Sequence, residues 1–62
     1  MSKKQFEDKI SAALGRRVTA ENVYEGGRDI LEIRVGNLHF RVMNGGIVAR
    51  RSGSRHWIVG MA

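Results

Sequence analysis

The side chains best suited to binding chemistry crowd the C-terminal half of the chain: Arg34, Arg41, Arg50, Arg51 and Arg55, with Trp57 and His39 among them. A guanidinium is a planar, multi-donor cation that matches phosphate and carboxylate oxygens, whereas lysine is a solvated point charge. Arginines interleaved with an aromatic ring are the chemistry of single-strand nucleic-acid platforms, in which cations track phosphates and the ring stacks on a base. The segregation of charge sharpens this reading. All six acids (Glu7, Asp8, Glu21, Glu25, Asp29, Glu32) lie in residues 1–32, where six lysines and arginines balance them. Residues 33–62 hold five arginines and no acid, so the whole net charge of +5 sits there. An all-arginine basic half points to a polyanionic or acidic partner. Charge kept for solubility is the plainer explanation of the same residues.

Catalytic and metal chemistry find little support. The chain has no cysteine, which removes disulfides, thiolate zinc sites and a thiol nucleophile together. His39 and His56 are expected on opposite sheet faces and without a carboxylate neighbour, which argues against a shared metal. His56 is expected to be a partly buried ring on the helix side. Ser52 and Ser54 sit in a turn with no base to activate them. Glu7 and Asp8 are adjacent on a helix and should point apart. Gly26-Gly27 and Gly45-Gly46 lack the spacing of phosphate-binding loops. A non-enzyme without cofactor or metal is therefore expected.

The elements that must position these residues follow from spacing. Ser2-Lys3-Lys4-Gln5 matches a helix-capping box. Phe6, Ile10, Ala13 and Leu14 then repeat on one helical face, and Gly15 fits a left-handed cap, so a helix is expected from about Lys3 to Leu14. From Val18 the pattern alternates and glycines mark turns. A weak first strand is expected over Val18–Tyr24, with Val18, Ala20 and either Val23 or Tyr24 inward. Strands over Ile30–Val35 and Leu38–Met43 join through Gly36-Asn37, a two-residue loop with glycine first. That closure pairs Ile33 with Phe40 and Leu31 with Val42 on one face, and Glu32 with Arg41 on the other. Asn44-Gly45 sets the next hairpin, pairing Val42 with Ile47, Phe40 with Ala49 and His39 with Arg50. A fourth strand over Ile47–Arg51 and a fifth over His56 to about Met61 complete the pattern.

The fold class expected is α+β: one N-terminal helix packed on a four- to five-stranded antiparallel meander, as a single domain over residues 1–62. Apolar residues make up 42% of the chain and charged residues 27%, a globular composition. The expected core is Phe6, Ile10, Leu14, Leu31, Ile33, Val35, Leu38, Phe40, Val42, Ile47, Ala49 and Ile58. The opposite face should then be open and carry Arg34, His39, Arg41, Arg50, Arg55 and Trp57, with Ile30, Met43, Val48 and Val59 between them. Arg50-Arg51-Ser52-Gly53-Ser54-Arg55 should project as a basic hairpin tip.

The leading expectation is a small regulatory domain that binds DNA or RNA through Arg34, His39, Arg41, Arg50, Arg51, Arg55 and Trp57. The alternative is a protein–protein interaction module or inhibitor whose basic face docks on an acidic surface, since arginine and tryptophan are interface-enriched. A homodimer through Val48, Trp57 and Val59 is a further use of that face. No stretch reaches the ~20 apolar residues of a membrane span, and the start carries no apolar run of a signal peptide, so a cytoplasmic location is expected. The length, capped helix and glycine-punctuated meander resemble, in architecture alone, small regulatory or virus-encoded inhibitor proteins.

Overall fold

Ser2 starts the helix as its type predicts: its Oγ accepts the Gln5 N–H at 3.1 Å, while Gln5 Oε1 accepts the Ser2 N–H at 2.9 Å. The structure, a computed structural model, describes residues 1–59. Helix α1 spans Lys3–Leu14 and stops at Gly15, whose φ of 70° is the left-handed cap conformation. Five strands follow: β1 (Glu21–Glu25), β2 (Arg28–Val35), β3 (Leu38–Met43), β4 (Gly46–Arg51) and β5 (Ile58–Val59). They form one antiparallel sheet in the order β1-β2-β3-β4-β5. No helix among the described residues is long and apolar enough to cross a membrane.

The hairpin registers read from the turns hold. Val35 pairs with Leu38, Ile33 with Phe40 and Glu32 with Arg41. Val42 pairs with Ile47, Phe40 with Ala49 and His39 with Arg50. Asn44 and Gly45 have φ of 53° and 78°, the two left-handed residues that a type I′ turn demands. The first strand differs. It begins at Glu21 because helix side chains occupy the preceding amides: Ser11 Oγ accepts the Val18 N–H at 3.0 Å, and Glu7 Oε2 accepts the Ala20 N–H at 2.7 Å. Val18 and Ala20 are nevertheless buried, as their pattern implied. Glu7 and Asp8 do not diverge as expected, since the Arg17 fork reaches both, at 3.7 and 2.8 Å. The linker after the helix is thus fastened back onto it.

The core between helix and sheet comprises Phe6, Ile10, Val18, Ala20, Ile33, Phe40, Ile47 and Ala49, with Leu14, Leu31, Val35 and Val42 packed partly buried around it. Two expected core residues fall outside: Leu38 is 38% exposed and Ile58 is 67% exposed. The reason is width. A helix about 10 Å across cannot cover a sheet of five strands spaced about 4.8 Å apart. Ile58 on β5 and Tyr24 on β1 therefore stand exposed at opposite edges, while Leu38 lies just past the β2–β3 turn. The fifth strand pairs over Ile58–Val59, and its expected continuation to Met61 lies outside the described residues.

Candidate functional site

The sheet face turned away from the helix is not the open cationic surface that alternation predicts. Glu32, His39 and Arg41 on it are buried, at 5%, 5% and 6% exposure. Strand parity places all three there, and Trp57, immediately before β5, lies against the same face. The tryptophan ring lies 4.3 Å from the Arg50 guanidinium and 5.2 Å from that of Arg41, and meets the His39 ring edge-on at 5.0 Å. Cation–π contact of this kind suits a partly desolvated arginine. Trp57 is half-buried in consequence.

Beneath the ring, one carboxylate gathers three donors. Glu32 Oε1 accepts from Arg34 Nε at 2.7 Å, and Oε2 accepts from Arg41 Nε at 2.8 Å. His39 Nε2 lies 2.5 Å from the same Oε2, close but without a well-directed hydrogen bond. The far end of Arg41 donates to Glu25, with Nη1 at 2.5 Å and Nη2 at 3.5 Å. His39 Nδ1 accepts from Arg50 Nε at 3.2 Å, so the proton of a neutral ring belongs on Nε2, facing Glu32. Burial pushes the Glu32 carboxyl up, but His39, Arg41 and Arg34 outweigh it and hold the group at about 2. Bonding to Arg41 likewise keeps Glu25 below the usual carboxylate range. Arg41 in turn is raised by Glu25 and then by Glu32, against the lowering effect of burial.

Several expectations are corrected by this arrangement. His39 does have a carboxylate neighbour, because Glu32 stands diagonally across β2 and β3 from it. His39 and Arg41 are buried and engaged in pairing within the protein. Arg50 is half-buried rather than free. Of the residues expected at a homodimer face, Val48 is 5% exposed within the single chain and Trp57 is half-buried, and the Val59 side chain lies outside the described part of the molecule. His56 is exposed instead of partly buried. Among the described residues, no group of three or more His, Asp or Glu side chains is placed to hold a metal ion.

Accessible cations collect elsewhere, at one end of the sheet. The Ser52 N–H donates to the Asn37 carbonyl at 2.8 Å and joins the β2–β3 turn to the loop after β4. Arg34, Arg51 and Arg55 are exposed around this junction. Arg16 and Arg17, which follow the Gly15 cap, come to the same end. They line a cleft of about 430 Å³ with Arg34, Glu21 and Glu32. A second cleft of about 170 Å³ lies between the joined turns, lined by Arg34, Gly36, Leu38, His39, Arg50, Ser52 and Gly53. Arg17 is held by Asp8, whose bond raises its pKa. Arg16, Arg51 and Arg55 have no carboxylate partner among the described residues. Sequence reading overlooked Arg16 and Glu25. The Arg16-Arg17 pair directly after a helix cap was the available signal for the first, since the cap turns the chain toward the sheet end.

No protein-family model, curated protein or solved structure matches the chain, which leaves the chemistry of the site as the guide to its use.

Proposed function

We propose that this protein is a small, non-catalytic nucleic-acid-binding domain whose interface is the arginine-bearing end of its sheet. One observation carries the reading: Arg16, Arg51 and Arg55 are exposed and, among the described residues, without carboxylate partners around two turns that are bonded to each other. Unpaired arginines on rigid turns hold phosphate oxygens at small conformational cost, and phosphate contacts dominate affinity for nucleic acid. Trp57 enters this reading as a buttress that stiffens Arg50, not as a free stacking platform. The test is binding of a short oligonucleotide at two salt concentrations. A slope of log affinity against log salt of roughly −0.7 to −0.9 per phosphate contact is expected. Binding indifferent to salt, or none at low salt, would refute it.

A second reading has its own support. Leu38 is 38% exposed and pairs directly with Arg51, so apolar surface adjoins an unpaired cation. That combination also suits an interaction module or inhibitor docking on an acidic protein surface. Nuclease treatment of the isolated complex separates the two: a protein partner survives digestion, and a nucleic-acid partner does not.

A further inference from the structure

We infer that the cleft between the β2–β3 turn and the loop after β4 is a phosphate site, in which Arg34 and Arg50 hold a single phosphodiester group from opposite sides. The inference rests on the nucleic-acid reading above and specifies where one backbone phosphate sits. Three observations converge on it. First, among the described residues no acidic side chain lines this cleft, whereas the larger one contains Glu21 and Glu32. An anion entering between the turns meets Arg34, Arg50, the His39 ring, Leu38 and turn residues, with the Glu32 carboxylate behind them already bonded to Arg34 and Arg41.

Second, both arginines are oriented through Nε, which leaves terminal nitrogens for a ligand. Arg34 Nε donates to Glu32 Oε1 at 2.7 Å, and neither of its Nη atoms has a partner within the protein among the described residues. Arg50 Nε donates to His39 Nδ1 at 3.2 Å and its Nη1 to the Ser54 carbonyl at 3.4 Å, with Nη2 unassigned. A guanidinium fixed at Nε presents its fork with little entropy left to lose, the arrangement that bidentate phosphate recognition rewards. Third, the register sets the spacing. Arg34 pairs with His39 and His39 with Arg50, so the two arginines flank one strand on the same face. Their backbones are then about 10 Å apart, a gap that two inward-leaning arginine side chains close around one tetrahedral anion. Glu32 and His39 act here as positioning residues that set the two forks.

The test uses the full chain and a fluorescein-labelled oligothymidylate, with affinity followed across a salt series. Arg34→Gln and Arg50→Gln should each weaken binding several-fold and reduce the salt slope by about 0.7, the value of one single-strand phosphate contact. Because both side chains hold the same phosphate, the double variant should lose no more slope than either single one. Arg28→Gln, at the opposite end of the sheet, should leave the slope unchanged. Arg50→Lys, which keeps a cation beside Trp57, guards against a fold defect and should still weaken binding. If the Arg34 and Arg50 variants bind like wild type while Arg51→Gln and Arg55→Gln weaken binding, the cleft is refuted and the nucleic-acid reading stands. If wild type does not bind oligothymidylate at all, that reading fails, and a titration with inorganic pyrophosphate decides the cleft alone. Movement of the Arg34 and Arg50 Nε–H resonances would then support a phosphate site, and their indifference would overturn it.

Discussion

Glu32 and His39 approach to 2.5 Å on the sheet face that no helix covers, although each is paired in register with a different residue. Glu32 faces Arg41 and His39 faces Arg34, so the contact is diagonal and draws two cross-strand rows into one network. Removing the carboxylate should expose how much of the fold depends on it. Glu32→Gln leaves Arg41 and His39 buried beside a neutral amide, and breaking a buried pair from one side costs about 3–5 kcal/mol. Two members of the network, Arg34 and Glu25, are largely exposed, which places the expected loss at the low end. A urea titration reads it directly, and a loss below about 0.5 kcal/mol would mean that the network is peripheral.

Acid should undo the same network. The folded Glu32 carboxyl sits at about 2 against an ordinary value of 4.5. A depressed folded value means that its stabilisation is complete above 4.5 and lost as pH falls from there toward 2. Glu25, also lowered, moves stability in the same direction. The expected loss from Glu32 alone across this window is on the order of 2 kcal/mol, discounted for nearby solvent. Denaturant midpoints measured down the pH scale should fall in wild type and fall less steeply in Glu32→Gln, which keeps only the Glu25 contribution. Parallel decline in both proteins would assign the acid sensitivity to other groups.

Trp57 reports on the cover of that face. Its ring should emit between the extremes of core and solvent, since it is half-buried against Arg50 and His39. Arg50→Ala should shift the emission to the red and cost about 1 kcal/mol, the scale of a partly desolvated cation–π contact. Unchanged emission would show that the guanidinium does not hold the ring.

One contact in the sheet works against stability. Glu21 is the direct cross-strand partner of Glu32, and like charges in that position repel. Glu21→Gln should therefore stabilise the protein by about 0.2–1 kcal/mol, less at high salt. Thermal melting at low and high ionic strength would check both the sign and the screening.

The two sides of the sheet should answer differently to truncation. Ile33 is 1% exposed and Phe40 is 2% exposed, so alanine at either site should cost about 2–5 kcal/mol. Exposed Arg51 should tolerate alanine within about 0.5 kcal/mol. Comparable losses at Ile33 and Arg51 in the same denaturant series would contradict the assigned faces.

The helix and the hairpins were legible in sequence because their signals are local. Ser2 and Gln5 cap within one turn, and Gly36-Asn37 and Asn44-Gly45 dictate which residues face each other. Burial of Arg41 and His39 was not legible, because alternation assigns a charged residue to solvent unless a partner is known. The Glu32–Arg41 pair was visible in the register, but Glu25 reaches Arg41 past the row of Ile30, through side-chain length alone. Trp57 was placed on the correct face by parity. Its covering role depends on the irregular stretch before β5, where no repeating pattern exists to read. The candidate site moved from sheet face to sheet end for the same reason: which arginines remain free is decided by long-range pairing.

Strand order carries a kinetic consequence. Among the described residues every strand pairs with its neighbours in the chain, and all three connections within β1–β4 are two-residue turns. Such a sheet assembles hairpin by hairpin with short loop closures, and the docking of Phe6 and Ile10 on the sheet draws the N-terminal helix onto strands distant in the chain. Domains of low contact order fold in milliseconds or faster, and a chain without proline has no slow isomerisation to wait for. Stopped-flow refolding should thus be a single fast phase, and a phase lasting seconds would point to a step that the meander itself does not require.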